Sequence, residues 1–158
     1  MGPETVPSGV GRSMSAPKGI LFDLVGAQVE PGLPWNGGSE YVKSLFRAFV
    51  ETRGSDRLFV LLSKGGMLEE GFEAFLKEQV PVERVLWMED FPDLASVASR
   101  HAIGTVFLGI LQRFAQRLDF FQAPSPDLEV VCVIHDLVEF ELEPTRRSIL
   151  YERCLSLR

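Results

Sequence analysis

Runs of consecutive apolar residues, rather than alternating ones, set the first limit on what this chain can fold into. Lys18–Leu24 (KGILFDL), Arg57–Ser63 (RLFVLLS) and Leu128–Ile134 (LEVVCVI) each put large side chains on both sides of an extended segment. Segments of that kind need cover on two faces, which parallel sheets receive from flanking helices. Shorter runs, Arg84–Met88 and Thr105–Leu108, predict two further strands. Between them lie helical patterns. In Ser39–Thr52 the residues Tyr41, Val42, Leu45, Phe46, Phe49 and Val50 recur at i, i+3, i+4, i+7 spacing and form one apolar face, with Ser39 predicted to cap the start and Gly54 to end it.

Leu68–Gln79 repeats the pattern, with Leu68, Phe72, Phe75 and Leu76 facing in and Glu69, Glu70, Glu73, Lys77 and Glu78 facing out. Pro92–His101 reads as a helix with proline in its first turn, where the missing N–H costs little. Ile110–Phe121 suits a helix less clearly, and Pro144–Leu157 predicts the last one. Strands alternating with helices imply right-handed crossovers. The expected fold is therefore an α/β three-layer, Rossmann-like domain with a mostly parallel sheet.

At 158 residues the chain suits one folded domain, and its 46% hydrophobic content supplies a core without disulfide staples. Cys132 within an apolar run and Cys154 in the terminal amphipathic stretch read as two buried thiols in a reducing compartment. The net charge of −6 comes with scattered basic residues, which argues against nucleic acid as a partner, since phosphate neutralisation needs a clustered basic face. No window reaches the roughly 20 apolar residues of a spanning helix. Residues 1–17 are rich in Gly, Pro and Ser and lack the apolar stretch of a signal peptide, so a disordered leader, residues 18–158 as the domain and a cytoplasmic location are expected. The arginines Arg146, Arg147, Arg153 and Arg158 form a basic helix face that could approach anionic lipid.

In open parallel sheets ligands bind beyond the carboxyl ends of the strands. Two such places carry candidate residues. Gly37-Gly38-Ser39-Glu40 opens the first helix, where bare backbone, N–H groups and the helix dipole favour an anion such as phosphate, although a glycine pair also serves simply as a tight turn. His135-Asp136 follows the last strand. There the imidazole could donate to a substrate hydroxyl or change charge near neutral pH, with Asp136 orienting it. No CxxC or HExxH pattern occurs, and Lys64-Gly65-Gly66 lacks the preceding glycine of a phosphate-binding loop, so no metal and no cofactor are expected.

The stretch from ILFDL to WNGGSEYVKSLFRAF, holding Gly37, Gly38, Tyr41, Leu45 and Ala48, resembles the start of retaining glycosyltransferases of the GT-B architecture. More specifically, it looks like the large bacterial group that includes mannosyl- and glucosyltransferases of polysaccharide biosynthesis. VVCVIHDLVEFELEPTRRSILYERCL, with Tyr151 and Arg153 in its helix, is similar to that family's strand, His-Asp-Leu and proline-led helix. The resemblance spans about Lys18 to Arg158 and implies that this is the N-terminal half of the enzyme. Gly37 and Gly38 would then support the donor phosphate or the acceptor, His135 would contact the transferred sugar, and Glu40 and Asp136 would back them. Nucleotide-sugar and acceptor become the implied partners.

Family members run more than twice this length, and their second Rossmann domain binds the donor. With that domain absent, the resemblance implies a chain inactive alone, completed by a second chain or half of a split enzyme. A non-catalytic interaction domain, which could self-associate, is the alternative. Phe22-Asp23-Leu24-Val25-Gly26-Ala27 also resembles the first motif of haloacid-dehalogenase-like phosphatases, with Ser63 as their second motif. Val25 stands where those enzymes place their acid/base Asp, and Ala27 where they place Thr.

Overall fold

The computed structural model describes residues 18–32, 37–109, 118–121 and 127–133. Five strands, β1 (Gly19–Asp23), β2 (Leu58–Leu62), β3 (Val85–Trp87), β4 (Ile103–Leu108) and β5 (Glu129–Cys132), form one sheet in the order β3-β2-β1-β4-β5. Every pairing among them is parallel. The helices are α1 (Gly37–Arg53), α2 (Glu70–Gln79), α3 (Leu94–His101) and the short α4 (Leu118–Phe121). The α/β, Rossmann-like class follows from this arrangement.

The continuous apolar runs explain why two layers of helix are needed. On β1, Leu21 and Phe22 point to opposite faces and are both fully buried. Phe22 joins Leu24, Leu58, Val60 and Leu62 beneath α1 and α2, which contribute Val42, Phe46, Val50, Phe72 and Leu76. Its ring stacks on Phe107 at 4.8 Å and meets Phe46 edge-on at 5.1 Å. Leu21 joins Leu61, Leu86, Val106 and Leu108 beneath α3 and α4, with Leu94, Val97 and Phe120 closing that layer. Arg47 lies over the rings of Phe72 and Phe75, at 5.3 and 5.6 Å, and covers the outer side of the α1–α2 contact.

Several expectations need correcting. Ser39 does not cap α1: the helix begins two residues earlier, at Gly37, and Ser39 is fully buried inside its first turn. Proline does not occupy the first turn of α3. Asp93 caps that helix instead, its carboxylate accepting from Ser96 N at 2.7 Å, with Pro92 ahead of the cap. His101, at the end of α3, packs between the rings of Phe59 (5.4 Å) and Phe91 (5.8 Å). Burial and the neighbouring Arg100 charge lower its pKa, so near neutral pH it adds no cation to the helix end.

Cys132, expected to be buried, is exposed: β5 pairs only with β4 among the described strands, and its residues are largely open to solvent. Gly54 does terminate α1, with φ +73° and its N–H on Val50 O. The leader, Cys154 and the segment carrying Arg146 to Arg158 lie outside the described residues.

Candidate functional site at the strand tips

Parallel register brings all the carboxyl ends to one edge. Asp23 pairs with Leu61 on one side and Leu108 on the other, and Leu108 pairs with Cys132. The chain runs from β1 outward through β2 to β3, then crosses back to β4 on the opposite flank of β1. That reversal leaves the crevice of a doubly wound sheet between β1 and β4. Asp23 stands at its floor.

The turn after β1 is short and firmly held. Val25–Ala27 forms one 3-10 turn against which α1 packs, and Asp23 Oδ1 accepts from Val25 N at 3.0 Å. Gln28 is buried and clamps the end of β2 from both sides, Nε2 donating to Ser63 O at 2.9 Å and Oε1 accepting from Ser63 N at 2.7 Å. Val29 and Met67 then exchange two backbone hydrogen bonds. Gly66 must lie close to this clamp, because a Cβ on it would sit 2.7 Å from Gln28 Cβ. Within Lys64-Gly65-Gly66, the last glycine therefore serves close packing. Beyond it, Glu89 accepts from Ser63 Oγ (2.6 Å) and Lys64 N (3.0 Å), joining the ends of β2 and β3.

Gly37 and Gly38 open α1 as predicted for a bare-backbone helix start. Gly37 is exposed, and no heavy atom of the described residues lies within 4 Å of where its Cβ would be. Packing among the described residues does not require glycine there. Gly109, just past β4, approaches α1 so closely that a Cβ would lie 3.1 Å from Val42 Cγ1. Four residues of helix, about 6 Å of rise, separate Val42 from Gly38. Gly38 therefore lies about one helical turn N-terminal to the contact that α1 makes with the end of β4.

Glu40 is committed elsewhere. Lys43, with a side chain only 1% exposed, holds both Glu40 and Glu69 at 2.5 Å, tying the first turn of α1 to the approach to α2. Burial alone would depress the Lys43 pKa; the two carboxylates outweigh it and raise it. His135 and Asp136 lie outside the described residues. The chain reaches them from Val133, whose N–H bonds Leu108 O at 3.0 Å at this same edge.

Asp23 is the residue that apolar patterning undervalues. It is 7% exposed, and burial pushes its pKa from an ordinary 3.8 up to about 6, against the opposing pull of the Val25 N–H. Its sequence signals are an acid closing an apolar strand run and the likeness of Phe22–Ala27 to a phosphatase motif. As a phosphatase nucleophile it lacks a partner in its own loop, since the side chain two residues on is Val25 and the next candidate position holds the buried Ala27. Among the described residues no cluster of His, Cys, Asp or Glu could hold a metal ion, and no helix is long and apolar enough to cross a membrane.

No protein-family model, curated protein or solved structure matches this chain.

Proposed function

We propose that the chain is the acceptor-side, Rossmann-like half of a retaining glycosyltransferase that moves a hexosyl group from a nucleotide-sugar. The observation that carries this reading is the alignment of Asp23, Leu108 and Cys132 in one row, at an edge where Gly109 meets Val42 of the helix that opens on Gly37 and Gly38. An exposed glycine at a helix N-terminus presents N–H groups to an anionic or hydroxyl-rich ligand without a side chain in the way. Asp23 places one buried polar group among the apolar residues of this edge, a point of attachment for a hydroxyl-rich ligand.

Chemistry of this kind needs charge stabilisation at the departing diphosphate, usually the largest catalytic contribution. The described residues offer no free basic cluster for it: Lys43 is held by Glu40 and Glu69, and Lys64 by Asp90. A donor-binding domain or chain is the expected source of that charge, and turnover depends on it.

The test is a ¹⁵N-resolved NMR titration with methyl α-D-glucopyranoside and methyl α-D-mannopyranoside, run beside p-nitrophenyl phosphate with Mg²⁺. Saccharide-induced shifts confined to the strand-tip amides are expected, with no phosphate release. An unresponsive spectrum refutes sugar recognition and leaves an interaction domain. Phosphate release abolished by Asp23→Asn would establish the phosphatase reading instead.

A further inference from the structure

The carboxyl of Asp23 poses a physical question that turn formation alone does not answer. Its Oδ1 accepts the Val25 N–H, a task that Asn or Ser performs equally well without burying an ionisable group. Holding a carboxylate at 7% exposure is unfavourable unless its remaining lone pairs are used. Among the described residues Oδ2 has no hydrogen-bond partner. Among the described residues no charged side chain contributes to its titration, which is shifted by burial and opposed by the Val25 N–H.

The surroundings explain that isolation. The 3-10 turn brings Val25, Gly26 and Ala27, β4 ends in Phe107-Leu108-Gly109, and β1 is otherwise apolar. From α1 the only buried charge is Lys43, saturated by Glu40 and Glu69; from the end of β2, Lys64 is paired with Asp90. The acid is thus placed at the floor of the switch-point crevice with one oxygen fixed by the backbone and the other unassigned.

We propose that Asp23 is the hydroxyl-reading residue of this crevice, its second carboxylate oxygen accepting hydrogen bonds from hydroxyls of the bound sugar. This deepens the transferase reading and rests on it. Fixing Oδ1 on Val25 N orients the carboxyl plane, so Oδ2 meets a ligand without first losing rotamer freedom. A sugar hydroxyl there would stabilise the charged form that burial disfavours, so ligand and ionisation should reinforce each other.

The experiment uses the whole chain and the same two methyl glycosides. In Asp23→Asn the Val25 cap can persist through the amide oxygen, while the crevice-facing acceptor becomes an N–H donor. Glycoside affinity at pH 7.5 is expected to fall about tenfold or more, the scale of a hydrogen bond to a charged group. Wild-type affinity should weaken as pH drops through about 6, and the variant's should not. A second readout needs no variant: the ¹³C carboxyl titration of Asp23 should move to lower pH when glycoside saturates the chain.

Glycoside binding with an unmoved Asp23 titration and unchanged affinity in Asp23→Asn overturns this proposal but leaves sugar recognition intact. Absence of any glycoside binding removes both. Binding of inorganic phosphate that strengthens as Asp23 is protonated also overturns it, since it marks an anion site from which the carboxylate must retreat.

Discussion

Replacing Asp23 by Asn should stabilise the fold at neutral pH, and the gain should vanish in acid. In the unfolded chain this carboxyl titrates near 3.8 and in the folded one at about 6. Between those values the folded state binds more protons than the unfolded state, so this group makes stability fall as pH rises through that window. A difference of roughly 2 pKa units, at 1.36 kcal/mol each, sets an upper bound of about 3 kcal/mol for the destabilisation reached above pH 6. Asn keeps the shape and the Val25 hydrogen bond but carries no charge, so its contribution is flat with pH.

Urea unfolding followed by tryptophan fluorescence from pH 3.5 to 8 measures both curves, and taking their difference cancels every other titrating group. The variant should match the wild type near pH 3.5 and exceed it increasingly up to about pH 6.5, then by a constant amount. A difference that ignores pH, or one that shrinks as pH rises over this interval, refutes the assignment of a strained buried acid. A stabilised but ligand-blind variant is what a residue kept for binding rather than folding would produce.

Phe22→Ala removes a fully buried ring in contact with Phe46, Phe49 and Phe107, and should cost about 3–5 kcal/mol in the same urea assay. Lys43→Met should leave the unfolding midpoint nearly unchanged or raise it, because the two half-exposed carboxylates return to water. Glu40→Gln combined with Glu69→Gln should destabilise by more than the two single changes together, since either partner alone can still neutralise the buried ammonium. Gly66→Ala forces a Cβ to within 2.7 Å of Gln28 Cβ and should cost about 1–3 kcal/mol, with faster hydrogen exchange at the Val29 and Met67 amides.

Local signals were sufficient where one residue's chemistry decides the outcome. The run Leu58–Leu62 can only be a strand covered twice, and the spacing of Val42, Phe46 and Val50 can only present one buried helix stripe. Gly54 ends α1 because its φ of +73° suits glycine and few others. None of these needs knowledge of what lies across the domain.

What failed, or went unseen, depends on neighbours distant in the chain. Cys132 reads as core from its apolar run, yet β5 pairs on one side only among the described strands, so the run is covered less than its composition suggests. Lys43 reads as a surface cation until Glu69, 26 residues on, meets it under α1. Gly66 resembles a phosphate-loop glycine until Gln28 is found against it. Asp23 reads as the polar end of a strand, and only the strand order, which puts β1 at the centre with β4 returning beside it, makes that end a buried carboxyl at a ligand crevice. Sequence periodicity fixes which elements form and which face is apolar, because those are properties of a few adjacent residues. Desolvation, close approach and charge pairing are set by which elements become neighbours, and that is decided when the whole sheet assembles.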